Sequence, residues 1–174
     1  CTQISISIES GCQRVLKEII RKPLKLDIVP PIVKKCKVLD IDMGVNFIIG
    51  FPGETWNEIR ETIKFAESCD FDLVHFHIAT PLPETDLYKI AKEKNLLPED
   101  FSFFDSAYFG FGKAFITTDE FTPKELEILR AFEWDRINFK TPEKTAKIAA
   151  MMGLTLAELD KHRKQTRRKF GIHF

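Results

Sequence analysis

Several polar residues stand at the ends of short apolar runs, where ligand chemistry is usually done. Glu9 closes the alternating segment Gln3-Ile4-Ser5-Ile6-Ser7-Ile8-Glu9, and Ser10 follows it. A carboxylate in that position can accept from two neighbouring hydroxyls of a bound ligand. Asn46 and Ile48 lie in Gly44-Val45-Asn46-Phe47-Ile48-Ile49-Gly50, and His75, His77, Ala79 and Thr80 lie in or just after residues 73–78. The turn Gly50-Phe51-Pro52-Gly53-Glu54 would bring backbone amides close to a ligand at a helix N-terminus. Taken alone, Gly53 and Glu54 read as a tight turn. His75 and His77 alternate on one strand face but lack a third ligand, so no metal site is assigned. The cysteines at 1, 12, 36 and 69 show no C-x-x-C spacing, and are read as buried or idle thiols rather than ligands or disulfides. No residue is assigned a catalytic role.

Strand and helix periods show what must position these groups. Residues 3–9 alternate strictly, with Ile4, Ile6 and Ile8 on one face and Ser5, Ser7 and Glu9 on the other. Val15, Leu16, Ile19 and Ile20 then predict a helix ending before Pro23, and residues 29–38 a second, with Pro30 and Pro31 in its first turn. Strands follow at 44–50 and 73–78. Thr55 and Glu58 form a capping box for the helix between them, which Ile59, Ile63 and Ala66 line, and residues 85–94 form the next helix.

Strand–helix repetition implies a parallel sheet joined by right-handed crossovers. In a doubly wound sheet both faces are covered and strands are apolar throughout. Here each strand keeps a polar face, which a barrel lumen occupied by ligand explains. The expected fold is therefore α/β: a partial parallel β/α (TIM-like) barrel of about three strand–helix units, followed by a mostly helical C-terminal extension. The barrel part is expected over residues 1–98. Residues 99–174 hold a Phe-rich segment (Phe101, Phe103, Phe104, Tyr108, Phe109, Phe111, Phe115) expected to pair as strands, then helices opening at Thr122-Pro123, Thr141-Pro142 and Thr155-Leu156, with Gly153 ending the second.

Lysine plus arginine and aspartate plus glutamate both count 26, so no overall field steers nucleic acid or membrane. The basic run Lys161, His162, Arg163, Lys164, Arg167, Arg168, Lys169 reads as a solvated helix face. No segment is apolar enough to span a membrane and the first residues lack a signal-peptide pattern, so the expected location is the cytoplasm.

Three stretches together carry a family resemblance: Ser5-Ile6-Ser7-Ile8-Glu9-Ser10-Gly11-Cys12, then Phe47-Ile48-Ile49-Gly50-Phe51-Pro52-Gly53-Glu54-Thr55, then Thr80-Pro81-Leu82-Pro83-Glu84-Thr85-Asp86-Leu87-Tyr88. In this order they resemble the fourth to sixth strand–loop units of radical S-adenosylmethionine (radical SAM) enzymes. The nearest look is the group with a cobalamin-binding domain that includes anaerobic magnesium-protoporphyrin monomethyl ester cyclases, which the segment Arg130-Ala131-Phe132-Glu133-Trp134-Asp135-Arg136 also resembles. The resemblance spans roughly residues 2–140.

The resemblance implies a fragment of an oxidoreductase or transferase that, when complete, cleaves S-adenosylmethionine to a 5'-deoxyadenosyl radical with a [4Fe-4S] cluster. Cobalamin is a further cofactor it allows. It places cofactor ribose or methionyl group near Glu9 and Ser10, and adenine near Asn46, Ile48, His77, Ala79 and Thr80. The cluster's C-x-x-x-C-x-x-C loop is not in this chain, so the missing N-terminal half is the implied partner, beside a small-molecule substrate. The fragment is expected to bind neither cofactor tightly and to self-associate through open strand edges. Alternatives are a methylthiotransferase acting on protein or on tRNA, the neutral charge arguing against tRNA, and a non-enzymatic scaffold. Glu84 stands where related sequences commonly have glycine, so the backbone there need not adopt a positive φ.

Overall fold

The computed structural model describes residues 1–104 and 112–169. Three parallel strands form the sheet in the order β1–β2–β3: β1 is Gln3–Glu9, β2 Asp42–Ile49 and β3 Leu73–Ile78. Period-two alternation places β1 and β3 to the residue, whereas β2 starts earlier than expected because Asp42 pairs opposite Gln3. The helices are α1 (Val29–Val38), α2 (Trp56–Ser68), α3 (Asp86–Glu93), α4 (Pro123–Asn138), α5 (Pro142–Met151) and α6 (Leu156–Lys169). The helix expected after β1 is a wider, π-helical segment at Val15–Ile20, which Arg21 ends at φ +59°. The architecture is that of a partial β/α barrel with a helical C-terminal region.

The local rules that fix the helix starts are met. Thr55 and Glu58 cap α2 reciprocally, as Thr122 and Glu125 cap α4. Gly153, at φ +67°, follows α5. One apolar sheet face, including Ile8, Val45, Phe47, Ile49, Val74, Phe76 and Ile78, packs against α1 and α2 through Val33, Ile59 and Ile63. Phe47 sits at its centre, with ring centroids 5.8 to 6.3 Å from Phe76, Phe71 and Phe65. The close approach of the chain after β1 to α2 requires Gly11: a Cβ there would lie 2.6 Å from Phe65 Cβ and 2.7 Å from Thr62 Cα. Gly11→Ala is therefore expected to cost about 2 kcal/mol, because helix backbone cannot give way cheaply. Urea unfolding at unchanged m-value measures it, and an unshifted midpoint would contradict the packing.

The C-terminal helices share the barrel core. Ala114, Phe121, Leu126, Trp134 and Ile137 belong to the same buried cluster as the strands. Asn138, at the end of α4, is fully buried and closes the outer edge of β3: its Oδ1 accepts from Val74 N at 2.9 Å and its Nδ2 donates to Val74 O at 2.8 Å. At Val74 the outer edge of β3 is thus occupied by a side-chain amide in place of a strand. Among the described residues no strand pairs with the outer side of β1.

Three further expectations change. Residues 99–104 and 112–121 contain no strand; Phe101, Phe103 and Phe115 instead make edge-to-face ring contacts beside Tyr88. Tyr108, Phe109 and Phe111 lie outside the described residues. Glu84 has φ +62° despite not being glycine. Leu82-Pro83-Glu84-Thr85 closes with Thr85 N donating to Leu82 O at 3.2 Å, and proline second with positive φ third is the pattern of a type II turn. The basic run is not simply solvated: Arg163 and Arg167 both turn to Asp135 on α4, and Arg163 lies over the Phe139 ring at 4.1 Å. No described helix is long and apolar enough to cross a membrane.

Candidate binding site at the strand ends

The sheet face opposite the core carries Ser5, Ser7, Asn46, Ile48, His75 and His77, set by parity. Hydrogen bonds link the strands across it. Asn46 Nδ2 donates to Ser5 Oγ at 3.3 Å, and Asn46 Oδ1 lies 3.2 Å from His77 Nε2. His75 stacks beside His77 with ring centroids 6.1 Å apart. Both imidazoles sit below their ordinary pKa, first because of burial, so they are neutral at pH 7.

At the C-terminal ends of the strands this face opens into a cavity of about 360 Å³. Glu9, Asn46, Ile48, His77, Ala79 and Thr80 all line it, so the structure brings together every cofactor-binding residue expected from sequence except Ser10. Ser10 is fully buried under α2, its Oγ 3.0 Å from Thr62 Oγ1 and accepting from Cys12 N at 3.1 Å. That oxygen is spent on packing. Glu9 reaches the cavity by a different route from strict alternation: the β1–β2 register shifts between Ser7 and Glu9, and Glu9 has φ +75°. A bulge re-aims a side chain in this way.

The sequence reading missed Lys22, whose Nζ lies 3.5 Å from Glu9 Oε1 and donates to Ser7 O, so that it neutralises the carboxylate and pins the bulge. It also missed the apolar wall made by Phe51, Leu82 and Leu87. The Gly50–Glu54 turn holds Phe51 there. Gly50 has φ +88°, and a Cβ would meet Leu126 Cδ1 at 2.6 Å. Glu54 is 1% exposed. Its Oε2 accepts from Gly50 N at 2.7 Å and Phe51 N at 3.1 Å, while Oε1 has no partner. Burial pushes this carboxyl up to about 7, against the pull of the two amides. Arg14 locks the turn from outside, bonding Gly53 O at 2.9 Å and both oxygens of Glu58, whose pKa it pulls down to about 2.

The pocket pairs a carboxylate, an amide and an imidazole with flat apolar surface, the mixture that orients a nucleoside-sized ligand. Among the described residues no three His, Cys, Asp or Glu side chains come together as a metal site. Cys12, Cys36 and Cys69 are buried apart, and Cys1 is exposed.

No model of a known protein family matches the chain. It is similar to an uncharacterized methyltransferase of Pyrococcus horikoshii, 41% identical over 97 residues that make up 56% of this chain and 21% of that protein. It is 31% identical over 112 residues to the cytidylyl-2-hydroxyethylphosphonate methyltransferase of Streptomyces wedmorensis, covering 61% of this chain and 21% of that one. With the threonylcarbamoyladenosine tRNA methylthiotransferase of Thermotoga maritima it shares 34% identity over 87 residues, 49% of this chain and 20% of the relative. The chain spans about a fifth of the length of these relatives. The likenesses are consistent with the radical SAM superfamily and with a longer parent enzyme.

Proposed function

We propose that the chain is the second half of the β/α barrel of a radical SAM enzyme and that its strand-end cavity takes part of S-adenosylmethionine. The convergence of Glu9, Asn46, Ile48, His77, Ala79 and Thr80 from three strands on one cavity carries this reading. The residues fit the cofactor: Ile48 and Phe51 offer a wall for a purine, and Glu9 an acceptor for ribose hydroxyls. Ser10 is left out, because its hydroxyl is already bonded. When bound with a [4Fe-4S] cluster held elsewhere in the parent protein, S-adenosylmethionine supplies the radical or the methyl group, while this chain's residues bind and orient it. The uncovered edge of β1 is where a preceding barrel strand would pair.

The similar methyltransferases and methylthiotransferases favour a group-transfer reaction over ring oxidation for the parent. A cobalamin-dependent cyclase remains the reading closest to the sequence resemblance, and a tRNA methylthiotransferase the one closest to the Thermotoga maritima relative.

In the complete enzyme, Glu9→Ala is expected to weaken S-adenosylmethionine binding by about 1 to 3 kcal/mol, roughly 5- to 150-fold, through lost hydrogen bonds to a charged acceptor. Thermal unfolding should hardly move, since Glu9 contributes little apolar packing. Cofactor titration of both proteins, beside their melting curves, measures this. Normal binding with an early melt would make Glu9 structural and sink the assignment.

A further inference from the structure

We propose that Arg14 is a positioning residue for the strand-end cavity. It ties the chain after β1, which carries Glu9, to the turn after β2, which carries Phe51, so that the polar and apolar walls take a ligand as one unit. The proposal rests on the reading that this cavity takes part of S-adenosylmethionine.

The first observation is that the two walls hang on different loops. Glu9 ends β1 at φ +75°, and Phe51 lies in the Gly50–Glu54 turn that ends β2; both line the cavity. Loop positions are set by what grips the loop rather than by a ladder or a helix.

The chain after β1 is gripped by α2. Ser10 Oγ lies 3.0 Å from Thr62 Oγ1, Gly11 N donates to the same hydroxyl at 3.0 Å, and Cys12 N donates to Ser10 Oγ at 3.1 Å. Arg14 follows two residues later. Its Nη2 donates to Glu58 Oε2 at 2.6 Å and its Nε to Glu58 Oε1, a two-pronged pairing that fixes direction as well as charge. The same carboxylate accepts from Thr55 N and Thr55 Oγ1, both at 2.9 Å, so it is itself fastened to the start of α2.

The second observation is that the turn after β2 is held from two sides. On the inside, Glu54 Oε2 accepts from Gly50 N and Phe51 N. On the outside, Arg14 Nη2 donates to Gly53 O at 2.9 Å. Packing does not hold that end: Gly53 has φ +86°, and a Cβ on it would meet no atom within 4 Å. One guanidinium therefore gives both loops a common anchor, Glu58. Without it α2 stays where it is, because Thr55 still caps the helix and Ile59 and Ile63 still bury its inner face. The Gly53 end of the turn is released, and Phe51 with it. A ligand that bonds Glu9 and lies against Phe51 needs both walls in place at once, and its apparent affinity falls with the fraction of chains in which they are.

The test has two arms. In the chain without ligand, hydrogen exchange of the Gly50 and Phe51 amides reports the turn directly. Both are expected to exchange about tenfold faster in Arg14→Met, as loss of charge-assisted bonds allows, while amides in the middle of β2 keep their rates. In the complete enzyme, titration with S-adenosylmethionine should give a Kd raised roughly 3- to 10-fold in Arg14→Met. Arg14→Lys keeps the charge without the fork and should fall between wild type and Arg14→Met in both arms. Glu58→Gln should act in the same direction, and the double variant should lose less than the sum of the two, because both substitutions break one coupled contact.

Exchange that quickens alike throughout the sheet would make Arg14 a general stabiliser and overturn the proposal. So would unchanged rates at Gly50 and Phe51, or faster rates there with an unchanged Kd. If the wild-type enzyme takes no S-adenosylmethionine, the cofactor reading fails, and the exchange rates still decide whether Arg14 holds the turn.

Discussion

Asn138→Ala is expected to lower the unfolding free energy by about 3 kcal/mol, a loss far larger than its size suggests. The side chain is fully buried and makes three hydrogen bonds: from Val74 N, and to Val74 O and Trp134 O. Trp134 O keeps its helical partner, but the two Val74 groups face α4 and have no other partner among the described residues. An unsatisfied buried backbone group costs about 1 to 3 kcal/mol, and alanine would leave two. Asn138→Asp should be at least as damaging: it retains the acceptor for Val74 N, loses the donor to Val74 O, and buries a charge. Urea midpoints give the energy. Light scattering gives a second readout, because a bare β3 edge can recruit another chain. A loss below about 0.5 kcal/mol, the scale of ordinary surface substitutions, would mean that water or another group already serves Val74.

Asn138 also shows where sequence reading stops. Local periods carried far: strict alternation placed β1 and β3, and threonine–proline starts placed α4 and α5. Parity on parallel strands then put Asn46, Ile48 and His77 around one opening, because side chains two apart on a strand must share a face. What stayed hidden depends on partners far away in the chain. Nothing near Asn138 announces a contact with Val74. Ser10 lies away from the cavity for the complementary reason. A polar residue after a strand reads as a ligand group, but Thr62 on α2 had already claimed its hydroxyl. Glu84 keeps the positive φ of its turn without glycine, with proline in the second position.

The same limit applies to Glu54, which the sequence presents as one more turn residue. The structure buries it in the turn that holds Phe51 against the cavity. Its carboxyl titrates at about 7 when folded, against an ordinary value of 4.5. The folded chain therefore keeps a proton that the unfolded chain has released throughout the interval between those values. Stability from this group is fully present below about pH 4.5 and is lost as pH rises through about 7, a change on the order of 3 kcal/mol. Other groups act in the opposite sense. Glu58, held near 2 by Arg14, contributes above pH 4.5 and loses its contribution as pH falls toward 2. His75 and His77, depressed from 6.5, withdraw stability as pH falls below that value. The informative quantity is consequently the difference between wild type and Glu54→Gln, in which these other terms cancel. A neutral glutamine keeps an oxygen for the Gly50 and Phe51 amides and cannot ionise. Relative to wild type, Glu54→Gln should gain about 2.5 kcal/mol between pH 5 and pH 8, read from urea unfolding at each pH. A difference that stays flat over that range would show that the buried carboxylate is ionised throughout, held by the two amides. If the difference does appear, Phe51 sits on a turn whose buried carboxylate, once ionised, is driven toward solvent. Cofactor affinity in the complete enzyme should then weaken above about pH 7 in wild type and stay level in Glu54→Gln.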